Sequence, residues 1–464
     1  MFLGAVIARL VFNYLTGFIA DDAFITFRYA ENLAAGKGFV YNIGDKVLGT
    51  STPFFTLLLA FFAGLRILPV TAALFISLVS SGLTASVLYR FAQSLRFRQF
   101  AAVPAQVYIL WPRSIPADTC GMETALFTLL VTSAFYFQHR QFRLYAIGMA
   151  TLATVTRPEG FGLLLLLGLY NIFRDRHNWK AYLITPSIII IPWIALSWLY
   201  FGSPIPNTIP AKLALYSRFG TEPLFDRLSL LLGFHIYYGY IMLAAAVIGG
   251  RWLYKKQYFG GLEIFWMLAM TAFYLFGRTH LFFWYMAPVF PIYILFAAAV
   301  IPFSIDRINC PAHRCVTYSR VVSVLIILIL LAGNYLPTKN HHETQQTLEG
   351  VHRQVGYYLY VHADQNDLVA AEDIGYIGYF SQRKILDRDG LVSPEAVPYN
   401  RDGRYRDLIL DKKPDWVVLS NGSPLSEFAS DSLFINKYEI KKSFAFDKLS
   451  YSIYSRMKET ESEK

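Results

Sequence analysis

Along residues 1–336 apolar stretches alternate with short polar clusters, and several stretches approach or exceed about 18 residues, the length that crosses a bilayer core. The clusters between them are basic: "YRFAQSLRFR" (89–98), "HRQFR" (139–143), "RDRHNWK" (174–180), "RWLYKK" (251–256) and "DRINCPAHRCVTYSR" (306–320). Together they hold 14 Lys/Arg against two acids. An excess of that kind marks cytoplasmic loops. The first helix, about 2–20, then runs outward, and the next segment to reach a basic cluster is 69–90. Residues 21–68 therefore all belong on the outer side. Within them, 22–35 place Phe24, Phe27, Ala30 and Ala34 on one helical face, which predicts an amphipathic helix at the membrane surface. From Pro53 to Arg66 about 13 residues make a helix near 20 Å, too short for a core of about 30 Å. That predicts a second helix lodged in the outer leaflet.

The remaining spans are predicted at about 99–115, 122–138, 144–156, 161–173, 181–201, 229–251, 259–277, 281–303 and 320–336, eleven in all. "TRPEG" (156–160) forms the tip of the short 144–173 hairpin. Backbone at such a depth is tolerated where it lines a cavity. After "NYLP" the character changes. "DLVAAED", "KILDRDG", "PDWVVLS" and "YSIYSR" read as strands, with helical signal between them, as in "TLEGVHRQVGYYLYV". The fold class is thus an α-helical polytopic membrane protein with two outer-leaflet helices and a small extracytoplasmic α/β domain. The division falls into 1–336 and 337–464.

Composition agrees with this. Of 464 residues 55% are hydrophobic and only 16% charged, against roughly a quarter in soluble domains. Residues 1–336 carry 25 Lys/Arg and 12 Asp/Glu, whereas 337–464 carry 17 and 20. The basic excess belongs to the membrane part and reflects orientation, not nucleic-acid binding. No small-residue cleavage site follows the first apolar run, which is expected to be a retained helix. Three cysteines give no disulfide framework, and Cys310, His313 and Cys315 lack a fourth zinc ligand nearby.

The chemistry concentrates at predicted outer helix ends. Asp21 and Asp22 stand where the first helix stops. One Asp suffices as a helix cap; two adjacent acids repel, and one of the two is raised toward the range of a general base. Arg157 in "TRPEG" is costly in a membrane hairpin and has the fork that matches a phosphate, with an internal pair to Glu159 as the other reading. Lys212 in "SPIPNTIPAKLALY" and Arg278 in "FGRTHLFFWY" are further cations for a lipid phosphate; a solvated lysine and an interfacial arginine are the plainer alternatives. Arg28 is a fourth phosphate candidate, or simply faces lipid headgroups. Glu123 in "CGMETALF" is either a second acid of the site or a helix N-terminal acid. Asn207 and His280, beside Lys212 and Arg278, join Glu123 as candidate sugar or acceptor contacts. The aromatics of "SWLYFGS" and "FFWYM" read mostly as an interface belt, with sugar stacking by one of them as the lesser alternative. A base on one side and cations on the other suit the activation of an acceptor hydroxyl while a lipid phosphate departs.

The blocks "DDAFITFRYAENLAAGKGFVYN", "GTSTPFF", "GMETALF", "TRPEG", "GSPIPNTIPAK" and "DIGYIGYFSQRKILDRDGLVSP", over residues 20 to about 395, resemble the membrane-embedded C-type (GT-C) glycosyltransferase superfamily. Within it they are most similar to the mycobacterial terminal β-(1→2)-arabinofuranosyltransferase group, which commonly shows Tyr-Thr-Asn-Pro where this chain has Thr50-Ser51-Thr52-Pro53. The resemblance implies transfer of a sugar, pentofuranose or hexose, from a polyprenyl-phosphate carrier to an acceptor hydroxyl on a cell-envelope glycan, lipid or protein. The expected location is a bacterial inner membrane, with the site on its extracytoplasmic face. Asp21 is the expected base with Asp22 in support, and Asp373, Asp387 and Asp389 belong to a block expected to cover the site. The tight "GYIG" there reads as a turn. No cofactor is expected to be required, although the superfamily admits a divalent metal, here at Asp21, Asp22 and Glu123. A flippase for the same lipid is the alternative; it predicts duplicated halves, and the chain has no internal repeat.

Overall fold

The computed structural model describes residues 1–216, 223–232, 239–258, 261–277, 280–308, 312–423 and 425–457. The first helix, Phe2–Thr16, stops at Gly17, whose left-handed φ of 60° lets its amide return to Asn13 O. The second, Asp21–Ala34, leaves at 102° to the first. It was expected to lie on the membrane with one apolar face. Instead Phe24, Phe27 and Ala30 pack with Phe55, Leu59, Ala72, Ala73 and Tyr376, so protein covers this helix on both sides. The Pro53–Gly64 helix has the predicted short length.

Four helices among the described residues are long and apolar enough to cross a membrane: Pro69–Ser94, Trp179–Phe201, Ala287–Ile305 and Val316–His362; the bent pair at the N-terminus makes a fifth if counted as one. Several other expected spans are shorter or broken, and proline explains the breaks. The 99–115 span divides into Ala102–Leu110 and Ser114–Thr119, with Trp111 extended because a residue before proline is kept out of the helical region. The 281–303 span becomes helical only from Ala287, beside Pro288 and Pro291. Arg157 is extended for the same reason as Trp111, so Arg143–Thr156 ends before Pro158 and the next helix begins at Gly160. Gly160 lies against the Ala153 carbonyl, where a Cβ would collide.

A buried ion pair fixes the N-terminal helix. Arg9 donates to Asp118 Oδ2 at 2.8 Å, and Tyr108 and Ser81 hydroxyls donate to the same oxygen. Asp118 lies in the short Ser114–Thr119 helix, so the pair sets the position of the Cys120–Glu123 turn.

The last apolar helix does not stop at residue 336. Helix continues through Asn334 and Pro337 to His362, and the sheet follows. Strands β1 (Leu368–Ala371), β2 (Lys384–Asp387), β3 (Trp416–Ser420), β4 (Tyr438–Phe446) and β5 (Leu449–Arg456) lie in the order β2-β1-β3-β5-β4. The first three are parallel and the last two add antiparallel. "GYIG" is not a turn: it lies in the Ile374–Ser381 helix, where Gly375 allows contact with the Asp21 backbone and Gly378 with the Tyr41 hydroxyl.

Candidate active site

Two cavities lie side by side beneath the sheet. The larger, about 720 Å³, has an apolar flank from Leu166, Phe265, Trp266 and Phe273 and a polar end at Asp22, Thr50, Glu123, Arg157, Glu159 and Lys212. The smaller, about 390 Å³, is lined by Asp21, Asp22, Lys212, Glu372, Asp373 and Asp389, with Phe282, Phe283 and Trp284 facing them. Asp22, Ile25, Lys212, Trp284 and Leu391 line both, so the acid and the lysine stand in the common wall.

The two adjacent aspartates part company. Asp21 accepts backbone N–H bonds from Gly375 and Tyr376, both at 2.9 Å, and so caps the Ile374–Ser381 helix. His352 Nδ1 lies 3.6 Å from Asp21 Oδ1. Asp22, in the first turn of the Asp21–Ala34 helix and outside the spans, has no hydrogen-bond partner among the described residues. Burial raises its carboxyl above the usual range, Lys212 pulls it back, and Asp21, Asp373 and Asp389 push it up again.

Lys212 comes from the Thr208–Tyr216 helix, with Nζ 3.4 Å from the Tyr285 hydroxyl. Burial lowers its pKa, but Tyr285 and Asp22 outweigh that and hold the ammonium above the ordinary lysine value. Arg157 is buried between two acids: Nη2 is 2.8 Å from Glu159 and Nη1 3.5 Å from Glu123. Tyr274 donates to Glu159 from the other side. Nη1 makes no hydrogen bond, and its nearest charged neighbour is the Glu123 carboxylate. Glu123 immediately precedes the Thr124–His139 helix, so its position at a helix N-terminus and its place in the cavity hold together.

Other candidates stand elsewhere. Arg28 was expected at a phosphate, but it donates to Gly378 O and Arg383 O, each at 2.7 Å, and stacks over Tyr41; it lines neither cavity. Asn207 was expected at the sugar, but its side chain donates to Gly390 O and Leu391 O and ties the loop before Lys212 to the sheet. His280 packs its ring against Phe282 and Tyr216, behind the wall of the smaller cavity. Arg278 lies outside the described residues, as does Cys310. Asp387 is fully buried and accepts N–H bonds from Asp389 and Val392, holding the loop after β2.

Sequence reasoning passed over Glu372 and set Trp284 and Tyr285 mainly at the membrane surface. "FFWYM" was expected at the membrane interface, yet Trp284 and Tyr285 are 6% and 9% exposed, because residues 281–286 are not helical and tuck inward. Pro288, three residues past Tyr285, was the available signal. Glu372 is adjacent to Asp373 and just past β1, where burial pushes it up to about 7 against the pull of Arg388. Among the described residues no three His, Cys, Asp or Glu side chains group so as to hold a metal ion. Of the three residues expected to admit a metal, Asp21 accepts two backbone amides and Glu123 lies 3.5 Å from Arg157.

The fold is similar to that of GT-C membrane glycosyltransferases. ArnT from Cupriavidus metallidurans, in a crystal structure bound to undecaprenyl phosphate, matches with a TM-score of 0.61 at 14% identity, over 97% of this chain and 96% of ArnT. Its apo form matches at 0.58, with 13% identity and the same coverage. Archaeal oligosaccharyltransferase AglB from Archaeoglobus fulgidus, in complex with an inhibitory peptide and a dolichol-phosphate, matches at 0.55 and 13% identity, over 89% of this chain and 68% of AglB. A family model described as a domain of unknown function, DUF8728, matches residues 338–459. No curated protein matches the chain by sequence.

Proposed function

We propose that the chain is a membrane glycosyltransferase that moves a sugar from a polyprenyl monophosphate to an acceptor hydroxyl on the extracytoplasmic face of a bacterial inner membrane. One observation carries this reading: Asp22 and Lys212 share the wall between an apolar-flanked cavity and an acid- and aromatic-lined one. The similarity to ArnT, whose structure holds undecaprenyl phosphate, supports the choice of donor.

In this reading the polyprenyl chain lies along Leu166, Phe265 and Phe273, and the phosphate reaches Lys212, with Arg157 lining the same cavity. The acceptor oxygen attacks the anomeric carbon from the smaller cavity. The bond from that carbon to the phosphate oxygen breaks, and its electron pair leaves on the phosphate, where Lys212 stabilises it. The hydroxyl proton passes to Asp22, whose raised pKa suits a general base. The base is assigned to Asp22 and not to Asp21, because both oxygens of Asp21 are occupied by backbone donors. Residues 1–336 would hold the donor and 337–464 would cover the acceptor side. The narrower reading, an arabinofuranosyl donor and an envelope glycan acceptor, rests on the sequence blocks alone.

The test uses the full chain in proteoliposomes with a radiolabelled panel of polyprenyl-phosphate pentoses and hexoses and a cell-envelope extract. Consumption of one donor by the wild type, and its loss in Asp22→Asn, is the expected result. Equal consumption by Asp22→Asn removes the base. Movement of intact donor across the bilayer without consumption replaces transfer by flipping.

A further inference from the structure

We infer that the smaller cavity is an acceptor subsite for a sugar ring that carries no acidic group, gripped between the aromatic wall of Phe282 and Trp284 and the carboxylates that close the parallel strands. The inference deepens the reading above and rests on it.

The topology puts the acids there. In the order β2-β1-β3 the chain leaves β1 to one side and reaches β3 on the other, and such a switch point opens a crevice beyond the carboxyl ends of the strands. Glu372 and Asp373 directly follow β1, and Asp389 follows β2 by two residues. Each commits one oxygen to a residue of the sheet region. Tyr451 donates to Asp373 Oδ2, Ser423 to Glu372 Oε1, and Arg388 lies 3.0 Å from Glu372 Oε1 and 2.6 Å from Asp389 Oδ1. The other oxygen of each has no hydrogen-bond partner among the described residues. The carboxylates are thus held in place from behind and keep an acceptor oxygen to offer.

The rest of the lining includes an aromatic pair. Phe282 and Trp284 stack with centroids 4.6 Å apart at an interplanar angle of 10°. A sugar ring has matching surfaces: C–H groups for the outer face and edges of that pair and hydroxyl donors for the carboxylates. An acidic sugar or a phosphate would meet five acidic side chains, two of them paired with Arg388 behind the wall, and a single lining cation, Lys212. That juxtaposition selects against anions. The cavity's about 390 Å³ suits one or two sugar residues.

The test measures binding apart from turnover. The full chain in nanodiscs is titrated with methyl β-D-glucopyranoside, methyl α-D-arabinofuranoside and methyl β-D-glucuronide by saturation-transfer NMR. At least one neutral glycoside is expected to bind, with the glucuronide undetected at the same concentration. Asp373→Asn and Asp389→Asn should each weaken the neutral probe roughly tenfold, as loss of a hydrogen bond to a charged group does. Binding of farnesyl phosphate, reporting on the larger cavity, should not change. Asp389→Asn covers the case in which loss of the Tyr451 contact unfolds Asp373→Asn, and Phe282→Ala tests the aromatic wall. Equal binding of glucuronide, no binding of either neutral glycoside, or unaltered binding in the folded variants overturns the inference. A chain that binds the neutral probe through these acids but consumes no donor defeats the transferase reading and leaves the sugar site standing.

Discussion

At the scale of single residues, Asp21 and Asp22 show how far adjacent identical side chains can diverge. Asp21→Ala is expected to lose about 1 kcal/mol of stability, the worth of a helix cap, and to keep most of the turnover. Asp22→Asn should leave the melting temperature in place and lower turnover by about a thousandfold, the middle of the range for a general base. Reversed phenotypes would exchange the roles. The pH profile gives an independent check. A base must be ionised to act, so the rate rises with pH through its pKa, and the acid limb should lie above the ordinary aspartate value of 3.8. Lys212 lowers that pKa, so Lys212→Met should move the limb of kcat/KM to higher pH; a limb that stays or moves down contradicts the pairing. The sequence made the acidic pair legible as unusual, and it singled out Arg157, Glu123 and Lys212, which do line the larger cavity. It could not say which aspartate faces the cavity. That depends on where a helix some 350 residues later places its amides. Arg28 and Asn207 misled for the same reason, since their partners are carbonyls of residues 378–391.

At the scale of elements, the local pattern was strong where periodicity and proline act through near neighbours. The strands at "DLVAAED", "KILDRDG", "PDWVVLS" and "YSIYSR" are present as read. β4 went unread because most of its residues are exposed on both faces, so no alternation of apolar and polar positions marks it. The "TRPEG" hairpin tip was expected to line a cavity, and Arg157, Pro158 and Glu159 do so. Gly160 makes that possible by letting the flanking helices touch at Ala153. Gly160→Ala should therefore cost about 1–3 kcal/mol by overpacking and displace Arg157. The checks are thermal unfolding in detergent and binding of farnesyl phosphate, and both should weaken together. Weaker stability with unchanged lipid binding would free Arg157 from any part in holding the phosphate.

At the scale of the whole molecule, the Asp21–Ala34 helix is the common core of membrane and sheet regions. Hydropathy placed it at the bilayer surface because the pattern of one helix cannot reveal a second that will cover it. Arg28→Met removes two charge-assisted hydrogen bonds into the sheet region and should lower stability by about 2 kcal/mol. Hydrogen exchange should rise in residues 374–383 before the spans respond, whereas uniform exchange across the chain would argue against a local clasp. Such a clasp bears on how these proteins can diversify. A segment grafted onto residues 338–459 from a relative must present carbonyls to Arg28 and small residues beneath Asp21 and Tyr41, or it will not seat. New acceptor preferences are then more readily reached by changing Glu372, Asp373 and Asp389 in place than by wholesale exchange of the outer half, and chimaeras joined near residue 337 should succeed only when the donor of the graft also supplies residues 21–41.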